Sequence, residues 1–260
     1  MSEFVKTEIV GGVLKITLNR PEKFNSLNTQ MSDQLKAALE IAASNSAIRA
    51  IYLTGAGKAF CAGQDLSDLN MGAVADSVEH AVREQYNPLV LKLRALEKPV
   101  ICAVNGVAAG AGASLALACD IVIASTSVAF VQAFSKIGLV PDCGGTYFLP
   151  RLVGLGKATA LMMLGEKLSA TDAEKMGMIY KVVEDDQLHS VAMETATALA
   201  NMPTTALGLT KRLLNQSMES TLEEQLESEA VIQAKAAATN DFAEGVAAFI
   251  EKRKPNFKGE

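Results

Sequence analysis

The order of residues predicts an α/β fold with a substantial parallel sheet. Short apolar segments alternate with amphipathic ones as far as about residue 185, and such alternation buries a parallel sheet beneath its crossover helices. From Asp186 onward the pattern is almost wholly helical. That change of character sets a soft boundary between a core, 1–185, and a helical region, 186–260.

The elements follow in order. "VLKITL" (13–18) alternates apolar Leu14, Ile16 and Leu18 with Lys15 and Thr17, the period of a half-buried strand. "NTQMSDQLKAALEIAAS" sets Met31, Leu35, Ala38, Leu39 and Ala42 on one helical face. "AIYLTG", "VICAV" and "DIVIAS" read as buried strands, and "KAFCAGQDLSDL" reads as a loop entering a helix. "GKATALMMLG" and "SATDAEKMG" read as helices, the second with Ser169 and Asp172 as a variant capping box. "MIYKVV" is a late strand, and Pro203, Thr221 and Asn240 mark new helix starts. No sequence repeat stands out.

The 260 residues carry 24 Lys plus Arg against 29 Asp plus Glu, a net charge of −5. A mildly acidic chain weighs weakly against nucleic acid as the main partner, because phosphate binding relies on clustered cations, and leaves room for a local basic patch. Cys61, Cys102, Cys119 and Cys143 form no CxxC pair, and His80 and His189 are the only histidines. No metal-ligand spacing appears, and the cysteines suit a reducing compartment. "MSEFVKTEIV" lacks the apolar stretch of a secretion signal. Residues 99–119 are uncharged and long enough for a bilayer. Asn105, Gly106, Gly110 and Gly112 break them into strand, glycine turn and buried helix. The expectation is a soluble cytoplasmic enzyme, with no membrane and no nucleic acid as partner.

Three stretches could carry chemistry. In "AFCAGQDL" (59–66) a glycine precedes a polar pair at a helix entry, where backbone N–H groups face outward and favour negative charge. The same residues also read as a helix cap with Asp65 in the first turn. "NGVAAGAGASLALACD" (105–120) lets backbones approach closely, and its glycine spacing is not that of a dinucleotide fingerprint. "GLVPDCGGTYFLPR" (138–151) holds a single carboxylate, Asp142, among glycine, proline and small residues. Pro-Asp-x-Gly is also ordinary turn chemistry. No histidine stands near a G-x-S-x-G elbow, so a Ser-His-Asp triad has no support.

In this order and spacing, these segments resemble the crotonase (enoyl-CoA hydratase/isomerase) superfamily of acyl-coenzyme A enzymes. The resemblance extends to "TLNRPEKFNSLN", "KPVICAVNGVAAGAG", "CDIVIAS" and the tail "EGVAAFIEKRKPNFKG". It implies an α/β spiral core of ββα units over 1–185, binding a CoA thioester, with a helical trimerisation region over 186–260. It implies an oxyanion site formed by the backbone N–H groups of Gln64 and Ala111. Ala62, Gly63, Asp65, Leu66 and Gly110 would lie along the substrate path. Coenzyme A belongs to the substrate, so no separate cofactor is expected, and a homotrimer or a hexamer is.

Two departures from the family pattern narrow the activity. Where hydratases of the family carry two water-handling glutamates, this chain has Ser114 and Phe134. Asp142 stands where hydratases usually have glycine and isomerases often place one carboxylate. The resemblance therefore implies an isomerase that shuttles a proton beside the thioester, with Asp142 as its base and Phe134, Val140 and Tyr86 facing the acyl group. "LTGAGKAFCAGQDL" and "FSKIGLVPDCGGTYFLPR" point further to a phenylacetyl-CoA ring epoxide as substrate. A straight-chain 3-enoyl-CoA isomerase, a hydratase and an RNA-binding relative are the alternatives. One lysine in "SDQLKAALEIAASN" and the short run "EKRKPNFK" weigh against the last. That tail, with Phe249, Phe257 and Lys252 to Lys258, reads equally as a clamp on a neighbour's CoA or as a solvated end.

Overall fold

The computed structural model describes residues 3–68, 70 and 72–260. Strands β1 (Val5–Val10) and β2 (Val13–Leu18) form an antiparallel hairpin at the edge of a six-stranded sheet. The sheet continues through β3 (Ala50–Gly55), β5 (Val100–Val104), β7 (Ile121–Ser125) and β10 (Lys181–Val183), all parallel to β2. Every residue of β3 and β5 is buried. Continuous apolar runs are what a strand covered on both faces requires.

Helix α1 (Thr29–Ser44) is capped by Asn28, whose side chain accepts from the Met31 amide, and buries the five residues its periodicity selects. The opposite face of the sheet takes α8 (Leu188–Ala200). Leu188, Ala192, Ala196 and Ala200, spaced by four, meet Val13, Ala50, Tyr52, Ile101, Ala103 and Ile123. The first helix of the C-terminal stretch is thus a layer of the core, and the shift in pattern at 186 marks a change of element type.

A second sheet has four strands, in the order β4 (Ala59–Cys61), β6 (Val107–Ala109), β8 (Ala129–Val131) and β9 (Lys167–Ser169). The chain alternates between sheets, so β3 leads to β4, β5 to β6 and β7 to β8, each pair followed by helical structure. This is the ββα spiral of the crotonase fold. The segment read as a loop entering a helix therefore begins with a strand, and Leu66–Asp68 is only a 3-10 turn. The uncharged stretch 99–119 resolves into β5, β6 and α4 (Ala111–Leu117), whose seven residues are all buried. Among the described residues no helix is long and apolar enough to cross a membrane.

Between the sheets' crossovers, α2 (Val74–His80) passes through a π-helical turn, Ala81–Tyr86, into α3 (Asn87–Ala95). Pro88 explains the widening: it has no N–H for the Glu84 carbonyl. Lys36 Nζ supplies that carbonyl with a partner at 3.3 Å.

Helices α5 (Gly145–Val153), α6 (Leu155–Leu164) and α7 (Ala170–Lys175) lead toward β10, with Ser169 capping α7 as its spacing with Asp172 predicts. Next come α9 (Thr204–Ser217), α10 (Leu222–Ala237), which opens with a Thr221/Glu224 capping box, and α11 (Asn240–Glu251). The last residues fold back onto their own chain. Buried Asp241 accepts from the Lys258 and Gly259 amides at 2.6 and 2.7 Å, and Arg49 donates to the Phe257 carbonyl.

Candidate active site

The site lies where the ends of β4 and β6 meet the start of α4. Gly112 sets that contact, because a Cβ there would lie 2.2 Å from the Cys61 carbonyl oxygen. Gly63, at φ +94°, turns the chain after β4 so closely that a Cβ would fall 3.0 Å from the Ala109 oxygen and 3.4 Å from the Ala111 nitrogen. A single parallel bridge to Leu27 fixes the next residue. Leu27 N–H donates to the Gly63 carbonyl at 2.7 Å and Asp65 N–H donates to the Leu27 carbonyl at 2.8 Å. In extended chain the amide between those two faces the other way.

The Gln64 amide is therefore left over. Ala111 is the first residue of α4, and its amide lies in the turn where a helix offers no acceptor. Neither N–H has a partner among the described residues. Two unused amides brought together at a buried junction are what a developing oxyanion needs.

The nearby side chains divide into those turned inward and those turned outward. Phe134 is buried, with its ring 3.7 Å from where a Gly110 Cβ would stand. Tyr86 is buried at the end of the π-helical turn. With Leu27, Asn28, Thr29, Gln64 and Gln85 it lines a cavity of about 140 Å³. The sequence reading missed Asn28, Thr29 and Gln85 as lining residues; Pro88 in a helical run was an available signal for Gln85 alone, and Asn28 and Thr29 read only as the start of α1. Ala62 and Leu66 lie on the exposed flank of the loop.

Two predicted residues depart from the place expected for them. The Asp65 carboxylate is taken up within the protein, at 2.8 Å from Arg20 Nη2 and 2.6 Å from Ser67 Oγ. Burial raises its pKa, but the bonds from Ser67 and Arg20 outweigh this and hold it near 2. Its side chain locks the loop, as the capping alternative has it. Val140 is 80% exposed and does not wall the site within a single chain. Leu139 N–H is tied to the Phe134 carbonyl, and Pro141 lies against Gly145, so the side chain between these anchors is left outside.

Asp142 occupies a strained loop. Cys143 at φ +49° and Gly144 at φ +75° are successive left-handed residues before α5, and the Gly145 amide bonds back to the Asp142 carbonyl at 2.8 Å. The ring of Phe148 sits against Gly144, at 2.5 Å from a Cβ placed there. Arg94, held by Asp120 at 2.9 Å, lies 5.7 Å from that ring's centroid. The loop is thus braced from behind. The carboxylate itself is half-buried, and its Oδ1 has no hydrogen-bond partner. Burial pushes its pKa up to about 6, against a smaller opposing pull from the Cys143 thiol and its own backbone. Tyr86 is within electrostatic reach, its hydroxyl driven above the usual range first by burial and then by Cys143 and Asp142. Among the described residues no group of His, Cys, Asp and Glu could hold a metal ion.

Residues 8–260 match the family model of enoyl-CoA hydratase/isomerase. The chain belongs to that family. Within it, the chain is 50% identical, over the whole of both sequences, to the 1,2-epoxyphenylacetyl-CoA isomerase of Escherichia coli K12. It is 45% identical to a probable enoyl-CoA hydratase of Rhodobacter capsulatus, over 98% of each. It is also 37% identical to the trans-2-decenoyl-[acyl-carrier-protein] isomerase of Streptococcus mutans, over 96% of this chain and 95% of that one. The crystal structure of enoyl-CoA hydratase from Bacillus anthracis superimposes with a TM-score of 0.94 at 35% identity, over 99% of this chain and 100% of that one. Membership makes the protein an enzyme. The family contains both isomerases and hydratases, so the site residues must decide between them.

Proposed function

We propose that the enzyme is an isomerase of 2-(1,2-epoxy-1,2-dihydrophenyl)acetyl-CoA, converting it to oxepin-CoA in aerobic phenylacetate catabolism. One observation carries the choice: Asp142 is a single half-buried carboxylate with its pKa near 6 at the site, while the two positions where hydratases carry glutamate hold Ser114 and Phe134. A lone base of that strength suits taking a proton and giving it back. The Asp142 carboxylate removes a proton from the carbon beside the thioester, and the electron pair moves onto the carbonyl oxygen. The Gln64 and Ala111 amides stabilise that charge, a contribution worth ~10²–10³ in rate for one such donor. As the ring epoxide expands to the seven-membered oxepin, the same proton arrives on the ring. Nothing is added or lost, and coenzyme A enters and leaves with the substrate, so no cofactor is needed.

The exposed flank at Ala62 and Leu66 suits the pantetheine arm. The same parts would move a 3,4 double bond of an enoyl-CoA to the 2,3 position. We read the working form as a cytoplasmic homotrimer or hexamer. Phe242, Val246, Phe249 and Ile250 recur on one face of α11 and are 43–85% exposed, an apolar stripe that favours burial against another copy.

The test uses the ring epoxide thioester, generated in situ in deuterated buffer, with wild type and Asp142→Asn. Conversion at unchanged base mass, lost in the variant, supports the reading. Turnover of a 3-enoyl-CoA alone would keep the chemistry and replace the substrate. A gain of one water on an enoyl-CoA would overturn it.

A further inference from the structure

Ser114 stands on the first turn of α4, three residues after the Ala111 amide, and is fully buried. A helical serine usually bonds back to the carbonyl four residues before it or turns to solvent. This one does neither, and its Oγ has no partner among the described residues. It points at the catalytic loop instead: a Cβ on Gly145 would lie 2.6 Å from Ser114 Oγ, and Gly145 is the residue whose amide holds the Asp142 carbonyl. On that loop Asp142 Oδ1 is the other buried oxygen without a partner. One is a hydroxyl able to donate, the other a carboxylate able only to accept. Unpaired buried polar atoms are rare enough that each calls for a cause. These two are of complementary kind and lie on facing elements.

We propose that Ser114 is a positioning residue for the Asp142 base: through one bridging water its hydroxyl donates toward Oδ1 and holds that oxygen in place for proton transfer. The glycine at 145 then has a second use, since any side chain there would displace the hydroxyl. Cys143 and Tyr86 are the other titratable groups in reach of the carboxylate, and both are neutral near pH 6 because burial drives each above its ordinary range. Neither adds a charge, and the Cys143 thiol already pulls the carboxylate down slightly, so the serine would be a further neutral donor, aimed at the oxygen left without one.

This inference rests on Asp142 being the base, so the first readout needs no substrate. The infrared carboxyl band that disappears in Asp142→Asn is titrated in the free wild-type protein, in Ser114→Ala and in Ser114→Cys. Losing a hydrogen bond to the charged form raises the carboxyl's pKa, by about one unit or tenfold in its proton affinity. Ser114→Cys, a weaker donor of similar size, should fall between, and it keeps the measurement possible if the alanine variant does not fold. With a turned-over thioester, kcat should drop about tenfold in Ser114→Ala with KM little changed, and the acid limb should move up with the carboxyl. A carboxyl titration identical in all three proteins would overturn the proposal even if the alanine variant melted at a different temperature. Absence of turnover by wild type would count against the isomerase reading, and the titration would still decide whether Ser114 acts on the carboxylate.

Discussion

The Asp142 carboxyl makes the protein less stable in proportion to how far its pKa is raised, and Asp142→Asn should recover that loss. The group moves from 3.8 to about 6 on folding. At 1.36 kcal/mol per unit the difference amounts to about 3 kcal/mol. The sign follows from the two titrations. Below pH 3.8 both states are protonated and the cost is zero. Between 3.8 and 6 the unfolded chain ionises while the folded one resists, so the cost grows with pH. Above 6 both are ionised and the cost is constant at its maximum. The neutral amide carries no such term. Asp142→Asn should therefore melt higher than wild type at pH 8, by up to about 10 °C for a chain of this size. The two should coincide near pH 4. Scanning calorimetry across pH 4–8 at fixed protein concentration checks it. A variant less stable than wild type at pH 8, or a difference of equal size at pH 4, would refute the claim that burial governs this carboxylate. The same ionisation should give kcat/KM an acid limb near pH 6.

Other substitutions test the frame around it. Gly144→Ala places a Cβ at φ +75° and 2.5 Å from the Phe148 ring, so it should cost about 1–3 kcal/mol and displace the carboxylate, lowering kcat more than stability. Gly112→Ala meets the Cys61 carbonyl at 2.2 Å and should cost about 3 kcal/mol, read by urea denaturation, with the Gln64 and Ala111 amides pushed apart. Asp65→Ala leaves Arg20 buried without its partner and should cost about 3–5 kcal/mol at pH 7. Because the Asp65 pKa is held near 2, its contribution is full above about pH 4 and fades as pH falls toward 2, so the variant's deficit should shrink over that range.

The large sheet was legible in the sequence because its central strands are five- or six-residue apolar runs, and α1 because its stripe repeats over four turns. The small sheet was not. β4, β6, β8 and β9 are three residues each, too short for any period to register, and what holds them is their pairing with strands far away in sequence. Of the site, Asp142 stood out as a charge in a loop otherwise built for turning. The two amides came only through the family resemblance, since a backbone donor leaves no mark on the residue that carries it. Ser114 was noted for the glutamate it replaces, whereas its unpaired hydroxyl depends on where Gly145 arrives in three dimensions. Val140, expected to face the acyl group, is instead largely exposed in the single chain, because adjacency in sequence to Asp142 says nothing about which way a loop turns its side chains.

The proposed oxyanion pair also separates two things that usually change together. Its donors belong to the main chain, fixed by the bridge at Leu27 and by the press of Gly112 on Cys61, so replacing the Gln64 or Ala111 side chain leaves the N–H in place. The proposed proton carrier is an ordinary side chain, removable in one codon and replaceable from another element around the site. A scaffold arranged in this way can exchange one thioester reaction for another while its means of stabilising the common intermediate stays untouched, which is a route to new activities that begins from a working catalyst.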